Sequence, residues 1–285
     1  MIVDSHQHFW RYDPQEYDWI DDDLAAIRRD FLPADLAREI GATGVDSVVS
    51  VQARQTLDET RWLLELAEAD DFIAGVVGWV PLVSPAVADT LAELAARPKL
   101  CGVRHVLQGE PDPDFAARPD FNRGIACLRR LGLAYDILVF ERQLPAAIAL
   151  VDRHPDQVFV VDHVAKPRIR DGILSPWRER IRELARRPNV CCKLSGMVTE
   201  ADLRAWTRAG LEPYADVVLE AFGPSRVMFG GDWPVCLAAC GYSRWLGTVR
   251  ELCSRLGETE RARVLGGTAR RAYGLDARAR RAATS

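Results

Sequence analysis

A closed (β/α)8 barrel of the TIM type, within the α/β class, is the architecture this sequence predicts, and three observations carry it. Eight short runs rich in valine, isoleucine, leucine and phenylalanine recur along the 285 residues. Segments with helical periodicity separate them, which implies parallel strands covered on both sides. No glycine-rich phosphate loop follows the first run, as an open doubly wound sheet would want. The length suits one barrel, so the prediction is a single domain over residues 1–285, with its active site at the C-terminal ends of the strands.

The runs begin near Ile2, Ser47, Phe72, Leu100, Ala134, Val158, Val190 and Arg226. Between the second and third, Asp58 to Ala69 sets Trp62, Leu63, Leu66 and Ala67 on one helical stripe. Pro85 to Arg97, Arg142 to Arg153 and Pro176 to Arg187 read the same way. Pro33, Pro85, Pro98, Pro155 and Pro188 stand at helix starts or just past helix ends. Two long connections, 11–32 and 107–120, follow the first and fourth strands and therefore lie on the active-site face. Trp10, Tyr17 and Trp19 either stack on a substrate ring there or pack the loop. The arginine- and alanine-rich tail, 275–285, is expected to fray.

Composition narrows the function. An apolar share of 48% supports a sizeable core. The net charge of −4, with no basic stripe interleaved with aromatics, argues against a nucleic-acid partner. The longest apolar stretch, Phe72 to Val83, is broken by Gly75, Gly78 and Pro81 and is too short to span a membrane. The chain starts almost directly in a strand, with no secretory signal before it. Seven cysteines, an odd number with Cys191 and Cys192 adjacent, fit a reducing cytoplasm better than a disulfide framework. Cys236 and Cys240 lack a second pair at ligand spacing, so all seven are read as small apolar residues. Only three basic residues are lysines: Lys99, Lys166 and Lys193. Where arginine is the default, a remaining lysine marks a place that needs a compact charge. Coding bias alone explains the excess of arginine equally well. Nothing in the pattern speaks to oligomeric state.

Polar residues collect where the strands end. His6 and His8 lie two apart on the first strand and so share a face. Such a pair suits half of a metal site or an acid–base cluster. Gln52 and Arg54 follow the second strand, and Arg104 and His105 end the fourth, where alternation admits one of the two to the site. Asp162, His163 and Lys166 follow the sixth strand, Lys193 and Ser195 belong to the seventh, and Asp232 and Trp233 follow the eighth. Burying so many polar groups without mutual satisfaction would cost several kcal/mol each, so a functional cluster is the economical reading. His154, after a helix and before Pro155, reads as a surface residue.

The motifs DSHQHFW, VQAR, RHVLQ, DHVAKP, KLSG and FGGDWPV, in that order, resemble the amidohydrolase superfamily (amidohydrolase-2 type). The likeness covers residues 2 to about 275 and is nearest to the sugar lactonase branch, with its L-fuconolactonase- and L-rhamnonolactonase-type enzymes. It implies a cytoplasmic hydrolase of carbohydrate catabolism that opens an aldono-lactone, a small-molecule substrate, to the sugar acid. Asp232 would serve as general base, the more readily if burial raises its pKa, and His6, His8 and His163 would polarise the carbonyl. Asp4 would orient one histidine from behind. Gln52, Arg54, Arg104, His105, Lys166, Lys193, Trp10 and Trp233 would bind substrate. The sequence departs from two-metal relatives in having no histidine on the fifth strand, which reads Asp136-Ile137-Leu138-Val139. A bridged pair is thereby disfavoured. One divalent ion such as zinc, held by His6, His8 and Asp232, and no metal at all both stay open. Two other functions fit the same residues: a mononuclear-metal decarboxylase of an aromatic or unsaturated acid, and a barrel that binds a sugar acid without turning it over.

Overall fold

In the computed structural model, which describes residues 1–282, eight parallel strands run in sequence order around one sheet. They are β1 (Ile2–Gln7), β2 (Val45–Val51), β3 (Ile73–Gly78), β4 (Leu100–His105), β5 (Ala134–Ile137), β6 (Phe159–Val161), β7 (Val190–Leu194) and β8 (Val227–Phe229). Each starts within two residues of its expected position. The circle closes just beyond β8, where Asp232 N–H donates to His6 O and His8 N–H donates to Trp233 O, both at 2.7 Å. This is the (β/α)8 barrel that the alternating pattern predicts.

Eight helices cover the strands: α1 (Pro33–Ile40), α2 (Leu57–Ala69), α3 (Val87–Ala95), α4 (Pro119–Arg130), α5 (Leu144–Arg153), α6 (Trp177–Ala185), α7 (Arg208–Phe222) and α8 (Tyr242–Leu252). Local chemistry sets their starts. Pro33 opens α1 with its fixed φ. The Thr56 and Thr207 side chains accept backbone N–H groups at the heads of α2 and α7. Helix α2 buries Thr60, Leu63, Leu64 and Ala67, while Trp62 and Leu66 are only half-buried, so its inner stripe is rotated from the expected one.

The apolar residues form two cores. One fills the shell between strands and helices. The other lies inside the barrel and takes at least one residue from every strand, among them Val3, Val51, Val77, Cys101, Val160 and Met228. Ala269, Tyr273 and Leu275 complete this inner core, so the C-terminal segment plugs the barrel floor. The segment comprises α9 (Glu258–Ala262), a π-helical turn (Arg263–Gly267), α10 (Thr268–Ala272) and α11 (Leu275–Ala282). The tail expected to fray is therefore ordered through Ala282. Arg278 is buried and donates to Gly132 O at 2.7 Å and to Leu100 O. Residues 283–285 lie outside the described residues. All seven cysteines are free, and six are buried. No helix is long and apolar enough to cross a membrane among the described residues.

Candidate active site

The C-terminal ends of the strands open into a cavity of about 500 Å³. His8, Arg104, His163 and Asp232 line it from the strand ends. Connection 11–32 contributes Glu16, Asp18 and Trp19; Arg54 and Thr56 come from beyond β2, Gln108 from beyond β4, and Lys166 from beyond β6. Leu138 and Val235 add apolar surface.

His6 and His8 meet as the two-residue spacing requires, with their Nε2 atoms 3.1 Å apart. Asp232 Oδ1 lies 3.8 Å from His6 Nε2 and 3.6 Å from His8 Nε2, and Asp232 Oδ2 lies 3.9 Å from His163 Nδ1. Asp232 holds a left-handed backbone at φ +52°, uncommon for a residue with a side chain and a form of strain found at functional sites. Its backbone hydrogen bond to His6 fixes it there. The DHVAKP motif is stranger still. His163, Val164, Ala165 and Lys166 all have φ between +47° and +59°. Such a turn costs about 1–2 kcal/mol per residue. It is pinned by Lys166 N–H to His163 O and by Trp177 Nε1–H to Val164 O, both at 2.8 Å. The turn swings His163 and Lys166 to the same cavity.

Asp4 holds backbone rather than a ring. Its carboxylate accepts from His6 N–H at 2.9 Å, Gly231 N–H at 2.7 Å and the Tyr242 hydroxyl at 2.8 Å. It ties β1 to the turn that carries Asp232, and burial pushes its carboxyl up to about 6. Burial also opposes ionisation of Asp232, but His163, His8 and His6 around it hold its carboxyl below the ordinary carboxylate range. An upward shift at Asp232 from burial is thus outweighed by its imidazole neighbours. Burial lowers His163 to about 4 and holds His6 well below its usual value, so both rings are neutral near pH 7.

The donor set fits one metal ion. Tetrahedral zinc with bonds of about 2.0–2.1 Å needs donors about 3.3 Å apart, close to the spacings above. His8 Nδ1 lies 2.8 Å from Val51 O, a bond that frees the Nε2 lone pair. His6, Asp162 and His163 form a second close group, but the Asp162 carboxylate is already taken by Arg104 at 3.0 Å and Lys193 at 2.9 Å. Those two cations beside His6 also oppose a second ion.

Several expected substrate contacts fall elsewhere. His105 points out of the barrel. It stacks on Phe115 with ring centroids 4.9 Å apart, accepts from Trp79 Nε1–H at 3.1 Å and meets Glu110 at 2.6 Å. Alternation decides for Arg104, its neighbour. Gln52 is buried and accepts from the Arg104 guanidinium at 2.9 Å, holding it rather than lining the cavity. Lys193 lies fully buried beneath His6. Trp10 and Trp233 are also buried, in an aromatic cluster with Phe31 at 5.6 and 5.1 Å, because large rings seal the 11–32 connection against the barrel rim. Of the loop aromatics only Trp19 lines the cavity; Tyr17 is buried beside Trp10. His154 is half-buried on Asn122, far from the strand ends. Glu16, Asp18, Thr56 and Thr199 also line the cavity, loop residues that no periodic signal marks in the sequence, as does Gln108 at the end of the RHVLQ motif.

The amidohydrolase family profile matches residues 3–275. L-fucono-1,5-lactonases of Burkholderia multivorans and Burkholderia ambifaria are 46% and 40% identical to this chain, and each match spans 96% of both proteins. A crystal structure of an amidohydrolase from Burkholderia multivorans with bound zinc superposes at a TM-score of 0.93 and 45% identity, covering 96% of this chain and 99% of that one. With the motifs set at six strand ends of the same barrel, this match makes the chain a member of the amidohydrolase family.

Proposed function

We propose that this chain hydrolyses an uncharged sugar lactone to the corresponding sugar acid. One observation carries the substrate class: each cation at the cavity already faces a carboxylate. Arg104 pairs with Asp162 at 3.0 Å, Lys166 with Glu200 at 3.3 Å, and Arg54 with Glu16. A substrate carboxylate would have to compete with these partners and would meet Asp18 and Asp232 as well. That disfavours the aromatic-acid decarboxylase. Neutral hydroxyls, by contrast, can bond to the spare donors and acceptors of the same pairs. The two lactonase relatives support the same class.

In this reading, water attacks the lactone carbonyl carbon and Asp232 takes its proton. The carbonyl electron pair moves onto oxygen, and hydrogen-bond donors on the cavity floor stabilise that charge, each worth about 3–4 kcal/mol when well placed. His163 is one such donor. With the Ser195 hydroxyl, 2.9 Å away, donating to its Nδ1, the neutral ring keeps its proton on Nε2. The ring C–O bond then breaks, its electrons stay on the ring oxygen, and that oxygen takes the proton held by Asp232. His6, His8 and Asp232 would hold one divalent ion such as zinc, which when bound supplies Lewis-acid polarisation of the carbonyl. An ester's alkoxide leaves more readily than an amine, so a site for one ion suffices.

The test is acid release from a panel of aldono-lactones in weak buffer with a pH indicator, before and after chelation, beside aromatic acids followed for carbon dioxide. Rapid acid release from a stereochemical subset is expected. Turnover of the aromatic acids with silence across the lactones would refute the proposal.

A further inference from the structure

Beneath the cavity floor, a run of buried polar groups leads from His6 down to the C-terminal plug. Lys193 Nζ reaches His6 Nδ1 at 3.0 Å, Asp162 Oδ1 at 2.9 Å and Asp136 Oδ2 at 2.6 Å. Asp136 in turn accepts from the Tyr273 hydroxyl, which sits 2.9 and 2.8 Å from its two oxygens. Lys193, Asp136 and Asp162 are fully buried, and Tyr273 is 1% exposed.

The Lys193 ammonium donates to Asp136 Oδ2 and lies against Asp162 Oδ1 and His6 Nδ1, and a His6 that binds an ion through Nε2 keeps its ring proton on Nδ1, turned to Asp162 Oδ1 at 3.3 Å. The place of the His6 ring therefore depends on where the two carboxylates hold the ammonium packed beneath it. Tyr273 satisfies part of the Asp136 charge. Without that hydroxyl, Asp136 has Lys193 alone as a side-chain donor, and the ammonium is drawn toward it and away from His6. Burial, and then the carboxylates of Asp136 and Asp162, keep the phenol protonated, so it remains a donor. Its height in the barrel is fixed by the plug, through Ala269 and Leu275 in the inner core and Arg278 on the backbone of β4 and of the residues before β5.

We propose that Tyr273 is a positioning residue for His6, acting through Asp136 and Lys193, so that the segment closing the barrel floor also sets an imidazole at its active end. For its kinetic readout this rests on the lactonase reading. A second readout, the 15N imidazole shifts of the purified full chain, requires no turnover, and five histidines keep that spectrum assignable.

Tyr273→Phe removes one oxygen and keeps the ring in the plug. Partners one layer behind a working histidine typically change activity by 10–100-fold, and one layer further back the lower end applies. The expectation is a roughly tenfold fall in kcat with KM within about twofold, together with a displaced His6 resonance and unmoved His105 and His154 resonances. Asp136→Asn carries the same expectation. The double variant should be no worse than the more severe single, because both act along one path. Leu275→Ala loosens the plug that fixes the height of Tyr273, so it should lower Tm and displace the His6 resonance in the same sense as Tyr273→Phe, to a smaller extent. Tyr273→Phe with an unmoved His6 resonance overturns the proposal, as do strictly additive effects in the double variant. If the wild type opens no lactone, the lactonase reading fails and the spectra alone decide this one.

Discussion

Gly196 closes the KLSG motif directly beneath His163, and adding a single methyl group there tests whether that histidine works in the site. Gly196 has φ +62°, and a Cβ on it would lie 2.5 Å from His163 Nδ1 and 2.6 Å from its Cγ. A normal contact needs about 3.5 Å, so in Gly196→Ala the ring must retreat by about 1 Å. The left-handed backbone cannot relax to help, since it carries the chain out of β7. Alanine in that conformation costs about 1–2 kcal/mol, and at about 2–4 °C per kcal/mol Tm falls by a few degrees. Activity should fall much further. A 1 Å displacement of a working group costs about 100-fold in rate, and the same shift breaks the 2.9 Å contact between His163 and Ser195. The assay is steady-state hydrolysis of the best aldono-lactone, with thermal unfolding of the same preparation. A folded Gly196→Ala protein with kcat within threefold of wild type would remove His163 from the mechanism.

Asp232→Asn should cut kcat by about 10²–10⁴-fold while the fold is retained, since a general base is lost and no core volume is; near-normal turnover in the lactone assay rules out the base assignment. His105→Ala should leave kcat within twofold and lower stability by about 1 kcal/mol, because the half-buried Trp79 N–H loses its acceptor; a specific rise in KM would return His105 to the substrate site. Glu59 gives a pH prediction. Burial raises its carboxyl from 4.5 to about 7, although Oε2 accepts from Arg54 N–H at 2.8 Å and Ala53 N–H at 3.1 Å. The folded state binds the extra proton, so this group's contribution is full below 4.5 and is lost as pH rises through 7. The gap corresponds to about 3 kcal/mol at most. Glu59→Gln should match wild type near pH 5 and unfold at higher temperature than wild type at pH 8; parallel Tm curves across that range would show that Glu59 is ionised throughout.

The strands were legible because each is a short apolar run between helical stripes, and burial on both faces leaves no other reading of such runs. His6, His8 and Asp232 were legible for a different reason. A period of two fixes the face that a residue joins, and the end of a barrel strand fixes its height, so the two histidines had to meet the aspartate across the closure between β1 and β8. The same alternation admits only one of Arg104 and His105 without saying which. The choice follows from partners far away in sequence, Asp162 for the arginine and Trp79 for the histidine. Trp10 and Trp233 misled because an aromatic ring at a barrel rim serves equally well as a stacking surface or a seal. Only the path of connection 11–32, which brings Phe31 against both, decides between them.

Asp136 is the least legible of the buried polar groups. A lone carboxylate in the run Ala134 to Phe140 is an anomaly for a strand buried on both faces, but nothing near it in sequence supplies a partner. Its partner Tyr273 lies 137 residues away, just before a tail that composition marks as frayed, and no local pattern links the two. Lys193 gave the better clue. Among basic residues that are nearly all arginine, a lysine survives where two carboxylate oxygens and an imidazole nitrogen crowd a single nitrogen, at 2.6, 2.9 and 3.0 Å. A guanidinium spreads its donors in a flat fork and cannot aim three of them from one atom. The chemistry of that point requires a tetrahedral ammonium, and coding bias toward arginine elsewhere is what makes the requirement visible in the sequence.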